Sequence, residues 1–471
     1  MKRLLALWLL GAGAVTQAAE RPNILLLIGD NWGYPHAGVL GDPVVKTPVF
    51  DDLARRGTLF THTFCPVPSC SPTRSSLLTG RAAHQLEDAA SLWSRFPSKF
   101  RVFTDALAAG GYRVGYTGKG WSPGRYEEER KENPAGPKFV SFEAFLTEQT
   151  KAAPFFFWLG NTDTALNKWR QGTGGAAAGL NPALAKVPPC LPDAPEVRSN
   201  ITDYLAGAQR MDADFGAALA ALEKAGLAKN TVIVYTSDNG WQMPRGLANC
   251  YDTGTRVPMV VSWEGRVPAG RRVEDFVSLT DLAPTFLELA GLKPWPEMTG
   301  RSVVKLLLGK ESDSARDHVF VERERHANVR KGDLSYPIRG IRTREFLYLR
   351  NLRPDRWPAG DPKVYMSVGD YGDVDGSLVK EHVLAHQDEP AMRRFFELSF
   401  AKRPGEELYD LKADPDQLVN VAGDPGYAAA KAELSKRVEA WMRETADPRV
   451  DPAWDAWDRY PYFGGKAKSL K

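Results

Sequence analysis

The sequence predicts an open α/β fold, a mixed and mainly parallel sheet with helices on both faces, followed by a smaller α+β domain. Three observations lead there. Residues 23–28, 154–159 and 231–236 are unbroken apolar runs rather than alternating ones, as expected for strands buried on both faces of a parallel sheet. Helical patterns fall between them, at 102–109 and at 201–225, where Leu205, Met211, Phe215, Leu219 and Leu222 recur at near-helical spacing. Two of the strands run directly into Asp-Asn, at Asp30-Asn31 and Asp238-Asn239. Ligands in open α/β sheets lie beyond the carboxyl ends of the strands, so these two pairs point at one place.

Taken in order, the chain begins with Lys2 and Arg3, an apolar run over 4–15, and small residues before Glu20. That is the pattern of a secretory signal over residues 1–19, and it predicts a periplasmic or secreted protein. The run is too short for a membrane span, which needs about 20 apolar residues. Residues 20–310 hold the α/β elements. From 311 to 471 the texture changes to Arg-rich alternating segments, with antiparallel strands expected over 338–349, a short segment at 407–411 and a helix over 427–444. No internal repeat and no later membrane-spanning segment is visible.

Composition narrows the function. The 471 residues are 43% hydrophobic and 25% charged, which removes disordered and coiled-coil classes. A net charge of +3 gives no field suited to wrapping nucleic acid. The four cysteines, Cys65, Cys70, Cys190 and Cys250, do not make a disulfide scaffold or a close-spaced zinc motif.

The most specific stretch is Cys70-Ser71-Pro72-Thr73-Arg74, continuing to Leu78-Thr79-Gly80. A cysteine at the mouth of a helix meets amides that favour an anion, and Arg74 lies one turn on along the same face. That arrangement suits a nucleophile facing an anionic substrate. Asp30, Asn31, Asp238 and Asn239 offer only oxygen donors, which suits a hard cation such as calcium rather than zinc. Either feature alone has an ordinary explanation, packing for the cysteine and turn capping for the Asp-Asn pairs; together they favour a site.

At these residues the chain resembles the type I sulfatases, whose signature is Cys-x-Pro-[Ser/Ala/Thr]-Arg followed by Leu-Thr-Gly. Residues 22–33, Gly118-Lys119, 237–258 and 407–422 extend the resemblance, and Gly41-Asp42-Pro43, His84-Gln85 and Glu324-Arg325-His326 look most like the branch containing N-sulfoglucosamine sulfohydrolase. The resemblance implies an alkaline-phosphatase-like fold and a Cys70 that a separate maturation enzyme oxidises to formylglycine. It further implies a calcium held by Asp30, Asn31, Asp238, Asn239 and the modified Cys70, with Arg74 and Lys119 as cationic stabilisers. The implied substrate is a sulfate ester or sulfamate on a carbohydrate or aryl group.

The pattern also departs from the family. Asn31 stands where a second Asp is common, Trp121 where Lys119 would have a histidine partner, Thr164-Ala165 where Pro-His is expected, and Leu247 at a basic position. Arg245, His326, Arg339 and His84 are the candidates to replace the missing groups at the substrate. Without them, the alternative is a catalytically impaired protein that binds sulfated glycans; the resemblance also leaves phosphate or phosphonate ester hydrolysis as a third possibility, since related enzymes share the metal-centred site. His36 and His62 read as packing, and His318, His382 and His386 as surface. Two of the remaining cysteines could bond, or all three could be buried free thiols. The aromatic tail (Trp454, Trp457, Tyr460, Tyr462, Phe463) reads as packing in preference to a sugar platform.

Overall fold

The computed structural model describes residues 21–149, 153–310, 315–366 and 369–465. The segment read as an export signal lies outside the described residues. The large sheet is built from β1 (Asn23–Gly29), β2 (Thr58–Phe64), β3 (Arg113–Gly118), β4 (Phe155–Asn161), β5 (Thr231–Ser237), β6 (Arg256–Ser262), β7 (Arg271–Val273) and β8 (Val277–Ser278). Their order is β8-β2-β6-β5-β1-β4-β3, with β7 also paired to β2. Only β6 runs antiparallel to its neighbours β2 and β5. β1, β4 and β5 are buried at every position, which is why their sequences carry no polar alternation.

Two helices matter for the site. α1 (Cys70–Thr79) is buried at every residue, and α2 (Pro195–Lys224) packs Ile201, Leu205, Met211, Phe215, Leu219 and Leu222 against the sheet. α2 starts six residues before the expected position, at Pro195 rather than 201. Its first turn is mostly solvent-facing, so it lacks the apolar repeat, and Pro195 at N1 fits a helix start because the missing N–H has no partner there.

A second, antiparallel sheet follows in the order β9 (His318–Arg323), β10 (Ile338–Thr343), β11 (Phe346–Asn351) and β12 (Glu406–Asp410). Its Ile341, Tyr348 and Leu408 pack on Leu434, Val438 and Met442 of α3 (Ala428–Glu444). The tail folds back onto the first unit: Trp457 is buried with Val67, Ala83 and Ala90 and donates to the Glu87 carbonyl at 3.0 Å. All four cysteines are free and buried. No helix among the described residues is long and apolar enough to cross a membrane.

One packing feature sets a pH dependence. Burial, with the charges of Arg256, Arg342 and Arg344 nearby, lowers His62 from 6.5 to about 4. The folded protein resists a proton that the unfolded chain accepts, so stability is fully present above pH 6.5 and falls as pH drops toward about 4. Urea unfolding at successive pH values should show a shallower acid decline for His62→Gln than for the parent. Identical slopes would refute the assignment.

Candidate active site

The parallel register of β1 and β5 pairs Gly29 with Ser237, so Asp30 and Asp238 leave the sheet side by side. Asn31 adopts φ 69°, a left-handed conformation that Asn tolerates, and its amide donates to Asp238 Oδ1 at 3.0 Å. α1 begins at Cys70 and aims its Sγ at the same point, 3.3 Å from Asp30 Oδ1 and 3.7 Å from Asn31 Oδ1.

Arg74, one turn along α1, closes the far side. Its Nε donates to Asp238 Oδ2 at 2.9 Å, one terminal nitrogen donates to the carbonyls of Lys119 and Gly120 at 2.7 and 2.8 Å, and the other lies 3.9 Å from Asp30 Oδ1. Lys119 Nζ reaches Asp30 Oδ1 at 2.5 Å. Two glycines let the backbone under Lys119 approach β4: a Cβ on Gly118 would stand 1.9 Å from the Gly160 carbonyl oxygen, and one on Gly160 would stand 2.1 Å from that of Lys119.

These charges set one another. Burial alone would raise Asp30, but the Lys119 and Arg74 charges outweigh it and hold the carboxyl below its ordinary value. Asp238 is raised, because burial and the Asp30 charge outweigh Arg74. Burial would discharge Lys119, yet the Asp30 carboxylate overrides it and raises the ammonium. Burial, with Asp30 beside it, pushes the Cys70 thiol well up.

Of the remaining candidates, only His326 comes to this region. Its Nδ1 lies 2.8 Å from the hydroxyl of Ser69, the residue before Cys70, and its Nε2 makes no hydrogen bond to a described residue. Burial, with the charges of Arg323, Arg330 and Lys119 outweighing that of Asp373, lowers His326 to about 4, so it is neutral at pH 7.

Three candidates are engaged elsewhere, and the expectations for them are corrected. Arg245 stacks 3.7 Å over the Tyr251 ring and donates to the carbonyls of Leu398 and Gln417. Arg339 is fully buried between Asp447, at 2.5 Å, and Glu324, at 2.7 Å. His84 sits 2.8 Å from both Glu322 and the Thr445 hydroxyl, tying the segment after α1 to the second sheet and to the end of α3. A buried ion pair and an anion pocket draw on the same residue types, so sequence alone did not separate them.

The departures are filled by structure. Trp121 is buried and donates its indole N–H to Ser75 of α1 at 2.8 Å, and Leu247 and Ala165 are buried. Thr164 donates to the Asp30 carbonyl at 2.8 Å. Two site neighbours escaped the sequence reading. Gln242 Oε1 accepts from Asn31 Nδ2 at 2.8 Å and from the Leu166 amide at 2.6 Å, and its Nε2 donates to Asp375 at 2.6 Å. Gln242 lies three residues past Asn239 and could have been suspected; Asp375 is brought in by the tertiary fold and carries no local signal.

The residues fit a hard divalent cation. Asp30, Cys70 and Asp238 offer ligand atoms within 4.8 Å of one another, and the side-chain oxygen of buried Asn239 has no partner. An orphaned buried acceptor beside two carboxylates is the pattern a cation would satisfy.

Fold and site together define the class, an α/β hydrolase of alkaline-phosphatase-like architecture with a carboxylate cluster at the strand ends. More narrowly, the chain belongs to the sulfatase family: the family model matches residues 22–142 and 120–292, and the N-sulphoglucosamine sulphohydrolase C-terminal model matches 245–361. Human N-sulphoglucosamine sulphohydrolase is 29% identical, with 92% of each chain covered. An ulvan-active sulfatase of Formosa agariphila is 26% identical over 91% of this chain and 76% of its own. A structure solved with its substrate D-glucosamine-2-N,6-O-disulfate superposes with TM-score 0.62 at 18% identity, covering 92% of this chain and 99% of that one.

Proposed function

We propose that the protein is an exported sulfatase that hydrolyses a sulfate ester or sulfamate on a carbohydrate, with Cys70 as the precursor of formylglycine and calcium as the bound cation. The observation that carries this reading is the convergence of Cys70, Asp30 and Asp238 under two cations, buried Arg74 and half-buried Lys119. Formylglycine would supply an oxygen nucleophile, and calcium a Lewis acid and template for the sulfate. This chain's own residues orient and neutralise: Asp30, Asn31, Asp238 and Asn239 would hold the cation, Arg74 fixes Asp238, and Lys119 presents positive charge where sulfate oxygens would sit. Export is supported by the N-terminal pattern, and a sulfated carbohydrate by what the relatives act on.

Calcium is tested without turnover. Adding it to chelator-treated protein should raise the unfolding temperature, by a stabilisation of about 2.7 kcal/mol at a hundredfold excess over Kd. Asp238→Asn should abolish the shift, and a parent protein indifferent to calcium would remove the metal from the account. A second reading, a sulfated-glycan binder without turnover, is favoured by the buried Trp121, Ala165 and Leu247. Turnover of an aryl sulfate by protein matured at position 70 separates the two.

A further inference from the structure

Breaking an S–O bond leaves an electron pair on the departing oxygen, and a basic leaving group needs a proton there. Around Cys70 the candidates are few. Lys119 is bound to Asp30, Arg74 does not release its proton, and His326 is neutral at pH 7. Asp375 differs from all of these. It is half-buried on the loop before the helix Leu378–Ala385, and Gln242 Nε2 donates to its Oδ2 at 2.6 Å. Its Oδ1 accepts no hydrogen bond from a described residue. Gln242 is itself fixed by Asn31 Nδ2 and the Leu166 amide, and Asn31 Oδ1 lies 3.7 Å from Cys70 Sγ, so an unbroken chain of contacts links the Asp375 carboxyl to the reacting position.

We propose that Asp375 is the general acid of this site: Gln242 holds one carboxyl oxygen, and the other gives its proton to the oxygen departing from sulfur. The inference rests on the sulfatase reading and adds a catalytic residue to it. In the step, the bond from sulfur to the leaving oxygen breaks, the attacking oxygen takes its place on sulfur, and the Asp375 proton ends on the released alcohol. Solvent then reprotonates the carboxylate. The electrostatics are compatible, since burial raises Asp375 above its ordinary value and the charges of Asp373 and Asp30 add to that, against the Gln242 hydrogen bond and the Lys380 ammonium. Lys380, on the helix behind, spends its donors on the carbonyls of Tyr371 and Val374, at 3.2 and 2.6 Å.

The test compares Asp375→Asn with the parent, both matured at position 70, on aryl sulfates graded from 4-nitrophenyl sulfate to unsubstituted phenyl sulfate. The variant should lose about 100-fold or more in kcat on phenyl sulfate while turning over 4-nitrophenyl sulfate near the parent rate, because nitrophenolate leaves without a proton. Asp375→Glu, which keeps the carboxyl, should restore much of the phenyl sulfate rate, and it serves as the comparison if the asparagine variant does not fold. An equal loss across the series, or a change confined to KM, would overturn the assignment. A matured parent inactive on every aryl and carbohydrate sulfate would overturn the sulfatase reading itself, a result seen before any variant is compared.

Discussion

Replacing Cys70 with alanine is expected to reduce sulfate-ester turnover by roughly 10⁴-fold or more, the scale of loss when a covalent nucleophile is removed. The structure explains why nothing nearby would substitute. Among the other side chains converging on the site, Asp30, Asp238, Arg74 and Lys119 are engaged with one another and Asn31 with Gln242 and Asn239, and of the two hydroxyls flanking Cys70, that of Ser69 is bonded to His326 at 2.8 Å and that of Ser71 is buried. The substitution removes one buried sulfur and its weak thiol contacts to Asp30 and Asn31 and leaves the Arg74–Asp238 and Lys119–Asp30 pairs in place, so the unfolding temperature should change little. Turnover measured on purified, folded variant decides the matter. A rate unchanged from the parent would eliminate position 70 as the source of the nucleophile.

The second large effect is on stability. Arg74→Met is expected to destabilise the fold by about 3–5 kcal/mol, because it leaves the buried Asp238 carboxylate without the charge that balances it and the buried Gly120 carbonyl without its guanidinium donor. Urea unfolding in the presence of a chelator, so that no cation replaces the guanidinium, measures it. Arg74→Met combined with Asp238→Asn should recover part of the loss, since the uncompensated charge is then gone. A cost below about 1 kcal/mol for Arg74→Met alone, within the range of a surface ion pair, would show that the guanidinium is not what balances Asp238.

How much of this was legible in the sequence follows from where each signal resides. β1, β4 and β5 were readable because strands covered on both faces must be apolar throughout, and the Asp-Asn pairs that follow β1 and β5 fall at one edge by the parallel direction of those strands. Cys70 and Arg74 were readable because helical spacing puts them on one face. Lys119 entered by resemblance and lies against Asp30. Arg245, Arg339 and His84 misled for a common reason: each is a basic side chain buried against distant segments, Arg339 and His84 on carboxylates and Arg245 on a tyrosine ring and two carbonyls, and sequence records the side chain without its partner. Asp375 was invisible for the opposite reason. Its importance comes from Gln242, 133 positions away in the chain, which ties it to Asn31.

The central claim is that position 70 supplies the nucleophile for sulfate-ester hydrolysis at a cation held by the two Asp-Asn pairs. The most direct measurement expresses the protein with a formylglycine-generating enzyme, determines the converted fraction at position 70 by intact mass, and follows turnover of 4-nitrophenyl sulfate with calcium present. The account predicts an aldehyde at position 70 and a rate that rises in proportion to the converted fraction. Fully converted, calcium-loaded protein that hydrolyses neither aryl nor carbohydrate sulfates would contradict it.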